Sequence, residues 1–211
     1  MRWDWVWAHT SDIGQRVAEH CVLAGIAVLF GFLLAFGLAI LIRQQPLTYE
    51  PITWVAGVIY TVPSLALFAL LIPFTGLSLM TAEIGLIGYT QVILVRNIVS
   101  GLRSVAPDIR EAAIGMGCTS QQLLWRVELP LALPIIVAGL RVTTVSTIGL
   151  TTVTALIGQG GLGFLILDGI QRFFSTPLLV GAFLSVLLAI GADLLLVFVE
   201  RLSSPWKRAI V

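Results

Sequence analysis

The sequence predicts an all-α fold, a polytopic bundle of transmembrane helices, and three observations lead to that prediction. Of 211 residues, 58% are hydrophobic and only 11% are charged, whereas a soluble domain usually carries about a quarter charged residues. The mean hydropathy is +1.01. Five apolar segments are each long enough to cross a bilayer, which takes roughly 20 helical residues. A soluble protein would need polar residues to cover its surface, and this chain has too few of them.

The five predicted spans follow one another with short polar connections. Pro63 lies inside the second span, and Pro73 is expected to close it because proline cannot continue a helix without loss of a hydrogen bond. The bounds that we expect for the spans are 21–42, 52–72, 84–102, 134–157 and 178–199.

One transmembrane domain, residues 21–200, accounts for most of the chain. The preceding segment, 1–20, is amphipathic and carries alternating tryptophans at its start, which favours a position in the extracytoplasmic membrane interface. The remaining residues, 201–211, form a short tail. If that tail is cytoplasmic, seven basic residues outside the spans lie inside and three lie outside. The positive-inside rule therefore predicts an external N-terminus and a cytoplasmic C-terminus.

The largest polar connection, residues 103–133, contains a spaced motif. It reads Glu111-Ala112-Ala113, three residues, Gly117, nine residues, then Val127-Glu128-Leu129-Pro130. The pattern predicts a helix-turn-helix that begins at Pro107. Gly117 permits the turn, and the proline of the last tetrapeptide is expected to end the second helix where the chain re-enters the membrane.

This spacing resembles the EAA loop of ABC-importer permeases, which is E-A-A, three residues, G, nine residues, I-x-L-P, with Val127 replacing the isoleucine. Beyond the loop, the chain is similar to the permeases of osmoprotectant uptake systems for glycine betaine, choline, carnitine or proline. The stretches that carry this similarity are 63–67, 72–73, 96–97, 101–103, 139–141 and 157–163. Methionine-importer permeases share the last stretch and much of the loop. The run Pro63-Ser64-Leu65-Ala66 favours the osmoprotectant family, and a methionine or other amino-acid importer is the alternative.

The resemblance implies the five-span core of a type I ABC importer in the cytoplasmic (inner) membrane. Its partners are expected to be a second permease chain, identical or different, a cytoplasmic ABC ATPase dimer and an extracytoplasmic solute-binding protein. No G-x-x-x-x-G-K-S/T motif occurs in the sequence, so we expect no cofactor here and ATP bound by the partner ATPase. Transport is expected to proceed by alternating access, with the loop transmitting the ATPase motion. The coupling residues implied are Glu111, Ala112, Ala113, Gly117, Cys118, Thr119, Leu129 and Pro130.

A stripe of threonines marks one face of the fourth span. They recur every three or four residues, a spacing that places them on the same helical face. Such a stripe either lines a polar pathway or packs against a neighbouring helix, and both interpretations stay open. A quaternary-ammonium solute suits hydroxyls and aromatic rings better than ammonium groups. The residues that we expect along the pathway are Tyr60, Ser64, Tyr89, Thr143, Thr147, Thr151 and Thr154.

Three charged residues lie deep in the predicted spans. Counted from the span ends at about 1.5 Å per residue, Arg96, Arg141 and Asp193 each lie about 9–10 Å inside the cytoplasmic edge. A lone charge at this depth is costly, and aspartate is too short to reach the interface. We therefore predict a buried charge cluster in which Asp193 pairs with Arg141 or Arg96. The alternative is that both arginines extend independently to the interface, with Asp193 protonated or facing water.

Other signals in the sequence are weaker. The glycines of 158–163 resemble a dinucleotide-binding fingerprint but follow a membrane span instead of a strand, so a glycine-rich turn at the outer mouth of the fourth span is expected. His9 and His20 are expected at the outer interface. Cys21 and Cys118 have no metal-ligand spacing, so no metal is expected. The net charge of +1 gives no support for nucleic-acid binding.

Two further classes of function fit the sequence less well than transport. An intramembrane enzyme needs a catalytic constellation within the spans, and the three ionisable residues of the predicted cluster do not supply one. A structural membrane scaffold gives no reason for the spaced loop motif. The sequence therefore favours a transporter subunit over both alternatives.

Overall fold

The computed structural model describes residues 1–203, and α-helices form almost all of that part of the chain. Short 3₁₀ segments at Pro46–Thr48 and Thr152–Ile157 and a π-helical segment at Leu124–Glu128 join some of them. The α-helices are α1 (Trp3–Ala8), α2 (Thr10–Gln44), α3 (Tyr49–Thr61), α4 (Ser64–Thr75), α5 (Leu79–Arg103), α6 (Pro107–Gly115), α7 (Ser120–Leu123), α8 (Leu129–Thr151), α9 (Leu162–Gln171) and α10 (Ser175–Ser203).

The membrane-spanning helices agree with the predicted spans in number and order. Four helices within residues 1–203 are long and apolar enough to cross a bilayer, and the bent pair formed by α3 and α4 makes a fifth span if it is counted as one. The first helix begins earlier than expected, because α2 starts at Thr10. Ile13 and Val17 pack against the cluster formed by α9 and α10. Much of the predicted interfacial segment is thus the N-terminal end of the first membrane helix.

The second span is broken at Val62 and Pro63. Val62 has extended backbone dihedrals, with φ −69° and ψ 129°, because the residue before a proline is disfavoured in the α-helical region. The two helices meet at a bend of 101°. The expectation that Pro73 closes the span is wrong: α4 continues to Thr75, since the missing N–H of one proline costs a single hydrogen bond near the helix end.

α5 lies at the centre of the bundle and packs against α2, α3, α4 and α8. Small residues permit these close approaches. A Cβ atom added to Gly31 of α2 would lie 2.2 Å from the hydroxyl of Thr90, and one added to Gly139 of α8 would lie 2.4 Å from Cβ of Asn97. α10 is peripheral and packs mainly on α8 and α9. Between residues 179 and 199, every exposed residue of α10 is hydrophobic or glycine, as is typical of a lipid-facing surface.

The loop between α5 and α8 is the predicted helix-turn-helix. α6 begins at Pro107 and ends in a Schellman motif, in which Gly117 has φ +84° and Cys118 N–H donates to Ala113 C=O over 3.1 Å. Thr119 and Gln122 then form a capping box that starts α7. The expectation that Pro130 ends the second helix is wrong. The helix continues from Ser120 to Ile157, because the wider π turn at 124–128 leaves room for the proline that follows.

Candidate translocation cavity and coupling surface

A cavity of about 340 Å³ opens beside the break in the second span. It lies between α3, α4, α5 and α8, at the point where the span changes direction. Five of the seven residues predicted to lie along the pathway line it. These residues are Tyr60, Ser64, Tyr89, Thr143 and Thr147. Membrane transporters commonly bind their substrates where a spanning helix is discontinuous.

Two tyrosines form an aromatic wall of the cavity. The rings of Tyr60 and Tyr89 meet edge to face, with centroids 5.9 Å apart. The hydroxyl of Tyr89 donates to the backbone carbonyl of Val62, which the helix break leaves without its usual partner. Ser64 begins α4 at the cavity wall, so the first N–H groups of that helix lie beside the cavity with no partner from a preceding turn.

The threonine stripe of α8 divides into two parts. Thr143 and Thr147 line the cavity, and the hydroxyl of Thr143 donates to the carbonyl of Gly139 over 2.8 Å. Thr151 and Thr154 are fully buried away from the cavity and donate to backbone carbonyls of their own helix over 2.8 and 2.7 Å. One half of the stripe therefore lines the cavity and the other half is packed inside the protein, and pathway lining stays a prediction.

The tip of the loop is an exposed surface. Glu111, Ala112 and Gly117 are exposed, whereas Ala113 is buried against the rest of the loop. Thr119 is also exposed, and Cys118, Leu129 and Pro130 are half-buried. Two hydrophobic residues outside the predicted coupling set also lie on this surface, Ile114 at 58% and Met116 at 79% exposure. An exposed methionine beside a glycine turn is a feature typical of binding surfaces.

A buried carboxylate connects the loop to the bundle. Glu128, only 3% exposed, accepts from Nε of Arg43 at 2.6 Å and lies 3.4 Å from Nε of Arg110. Arg43 also donates to the hydroxyl of Ser120 over 3.2 Å. We call Arg43, Arg110 and Glu128 the loop clamp, because they join the end of α2, α6 and the π segment. No pattern in the sequence predicted this cluster, apart from an acidic residue between apolar neighbours in the motif.

Only two of the three predicted cluster residues come together. Arg141 donates to Asp193 through Nε at 2.8 Å and through Nη2 at 3.0 Å, and its Nη1 lies 3.7 Å from Glu200. Arg96 is exposed and has no ion pair within residues 1–203. The predicted pairing of Asp193 with Arg141 is confirmed. The expectation that Arg96 belongs to the same cluster is wrong, because α10 packs on α8 and not against the face of α5 that carries Arg96. The pair itself is half-buried.

The glycine-rich turn after α8 is held by the first span. Leu162 N–H donates to Nδ1 of His20 over 3.2 Å, and Nε2 of the same ring lies 3.0 Å from the carbonyl of Ile148. Gly161 N–H donates to Glu19 over 3.1 Å. The expectation that His20 is interfacial is wrong, since the turn folds back over α2 and buries the ring completely. These two bonds fix a neutral imidazole with its proton on Nε2.

Comparison with known proteins establishes the family. Residues 27–204 match the family described as the binding-protein-dependent transport system inner membrane component, and the chain belongs to this family. Membership makes the protein a multi-pass membrane component of a transport system rather than an enzyme. It also implies partnership with an ATPase, a substrate-binding protein and a second permease.

Named relatives agree with the predicted resemblance. The choline transport system permease protein OpuBB of Bacillus subtilis is 35% identical over 92% of this chain and 89% of its own length. The osmoprotectant import permease protein OsmW of Salmonella typhimurium is 36% identical over 89% of each chain. Among solved structures, the MetNI methionine ABC transporter matches with a TM-score of 0.81 at 21% identity, over 96% of this chain and 99% of that chain. At that identity, the last match supports the fold alone.

Proposed function

We propose that this chain is the membrane-spanning permease subunit of an ATP-driven importer for a compatible solute: glycine betaine, choline, carnitine or proline. The observation that carries the proposal is the cavity at the broken span, where two tyrosines, a serine and two threonines meet. The names of the relatives support the same class of solute, because they include choline and osmoprotectant permeases.

The chemistry of the cavity suits a small quaternary-ammonium solute. A fixed cation is attracted to the faces of aromatic rings, and Tyr60 and Tyr89 supply two such rings. Hydroxyls and the N-terminal end of α4 can interact with a carboxylate, since helix N-termini attract negative charge. A volume of about 340 Å³ falls at the lower end of the range for small-molecule sites, roughly 300–1,000 Å³. The cavity therefore suits a solute of a few heavy atoms.

The loop and the membrane topology support a proposal for the other subunits of the transporter. We propose that a second permease chain completes the pathway, and that a cytoplasmic ATPase dimer, which binds the ATP, docks on the exposed tip of the loop. The positive-inside count supports an external N-terminus, with the exposed Trp3 and Trp7 in the outer interface. A separate solute-binding protein then delivers the solute from outside, and the two halves work by alternating access.

Uptake in cells tests this proposal. The permease would be produced with its ATPase and binding protein in a strain without other osmoprotectant importers, and uptake of radiolabelled glycine betaine, choline, carnitine, proline and methionine would be measured. We expect ATP-dependent uptake of at least one compatible solute, and at least a tenfold reduction in Tyr60→Ala. Trp54→Ala is the matched control, because Trp54 is 70% exposed on the same helix and does not line the cavity. Uptake of methionine alone would contradict the assigned solute class.

A further inference from the structure

The inner half of α5 presents a narrow polar face. From residue 85 to the end of the helix, its only exposed residues in the described chain are Arg96, Ser100 and Arg103. At about 100° of rotation per residue, they fall within roughly 60° of one another, on the same face as two residues that line the cavity. Those two residues are Tyr89 and Ile93. A single face of α5 thus runs from the cavity towards the cytoplasmic end of the helix.

This face differs in kind from the lipid-facing surface of the protein. Every exposed residue of α10 between 179 and 199 is hydrophobic or glycine, whereas all three exposed residues on the inner half of α5 are polar or charged. The other sides of α5 are covered by α2, α3, α4 and α8. Charged side chains inside the membrane face water-filled cavities or protein instead of lipid. The two cavity-lining residues on the same face of α5 favour the transport route as its surroundings.

Arg96 is the charge on this face that lies deepest in the membrane. It lies seven residues before Arg103, the last residue of α5, so Arg96 is about 10 Å from the end of the helix. Tyr89 lies seven residues before Arg96, at the same distance along the helix axis. Arg141, at similar depth, is held by Asp193 through two hydrogen bonds. Arg96 has no ion pair and no side-chain hydrogen bond within residues 1–203, so its guanidinium is available to a ligand.

We propose that Arg96 is a binding site for the carboxylate of a zwitterionic solute on the cytoplasmic side of the cavity, an inference that rests on the proposed function. Guanidinium groups bind carboxylates through two parallel hydrogen bonds. A solute that leaves the tyrosine wall of the cavity therefore meets Arg96 about 10 Å further along the same helix face. Glycine betaine, carnitine and proline carry the required carboxylate, and choline does not. The permease itself then distinguishes zwitterions from simple cations.

The test compares glycine betaine with choline in the same cells. Initial uptake of each labelled solute would be measured at subsaturating concentration for the wild type, Arg96→Gln and Arg96→Lys. Removing a charge-assisted, two-point interaction should reduce glycine betaine uptake at least about tenfold. Choline uptake should stay unchanged or rise, because a repelling charge is removed from its route. Arg96→Lys should retain an intermediate rate for glycine betaine.

Controls separate a binding role from other effects. Arg172→Gln removes a positive charge from an exposed residue that pairs with Asp168. This variant should change the uptake of neither solute. If Arg96→Gln reduces the uptake of both solutes equally, or of neither, the assignment of Arg96 is overturned while the proposed function stays intact. A wild-type protein that moves choline but no carboxylate-bearing solute would also overturn it. A wild type that moves neither would refute the proposed function itself and, with it, this inference. If the wild type transports glycine betaine but not choline, an equal loss of glycine betaine uptake in Arg96→Gln and Arg96→Lys would overturn the assignment of Arg96.

Discussion

Neutralising Glu128 should release the coupling loop from the membrane bundle. The carboxylate is 3% exposed and lies 2.6 Å from Arg43 and 3.4 Å from Arg110. Glu128→Gln keeps the shape of the side chain but leaves two guanidinium groups without their counter-charge. Because the loop clamp is the contact that joins α6 to both α2 and the π segment, its loss should weaken docking of the loop without unfolding the spans.

The size of this effect follows from the burial of the three side chains. Breaking a fully buried ion pair typically costs about 3–5 kcal/mol. The side chains of Arg43 and Arg110 are 20% and 33% exposed. Screening by solvent lowers the energy of such partly exposed ion pairs towards about 1 kcal/mol. We therefore expect a loss of about 1–3 kcal/mol in the docking of the loop, which corresponds to a roughly fivefold to 150-fold larger undocked population.

Two measurements on the reconstituted transporter test this prediction. Amide hydrogen exchange should accelerate in residues 107–123 by about the same factor, roughly fivefold to 150-fold, since exchange reports local opening. The ratio of solute transported to ATP hydrolysed should fall, because the ATPase motion no longer reaches the spans. Glu50→Gln is the control: Glu50 is exposed in α3 and forms no ion pair in the described part of the chain. Unchanged exchange in the loop, together with an unchanged coupling ratio, would refute the reasoning.

Three further substitutions have expected outcomes. Gly117→Leu, at a φ of +84° that side chains adopt at a cost of about 1–2 kcal/mol, should insert normally in the membrane but lose uptake and co-purification with the ATPase; normal uptake would contradict it. Asp193→Asn should lower the melting temperature in detergent more than Glu200→Gln, since Asp193 makes the two shorter contacts with its arginine; equal shifts would argue against it. Gly139→Ala places a methyl group 2.4 Å from a carbon of α5 and should cost about 1–3 kcal/mol in stability, whereas Gly149→Ala, with no atom within 4 Å, should cost little.

Features with a local cause were predictable from the sequence. Long apolar runs predict the spans, because bilayer thickness sets their length. The turn at Gly117 follows from its conformational freedom, and the start of α6 follows from Pro107, whose fixed φ suits a first helical position. The cavity residues were partly predictable for the same reason, since Pro63 breaks the span beside Tyr60 and Ser64.

Features that depend on which helix faces which were not predictable from one sequence. Counting depth places Arg96 and Arg141 at the same level, but it does not give the direction in which each side chain points. Arg43 and Glu128 are 85 residues apart in the chain, and no local pattern links them. His20 and Leu162 are 142 residues apart, so the burial of the histidine is visible only once the turn has folded over α2.

The unbroken helix from Ser120 to Ile157 has a mechanical consequence. Its 38 residues make a rod about 57 Å long at 1.5 Å per residue, with the turn at Gly117 near one end and the glycine-rich turn at the other. Thr143 and Thr147 of the cavity lie on the same rod. A tilt of about 5° around its midpoint would move the two ends by about 2.5 Å in opposite directions. If the helix, with its π and 3₁₀ segments, moves as one body, a displacement of the Gly117 turn is accompanied by an opposite displacement of the glycine-rich turn.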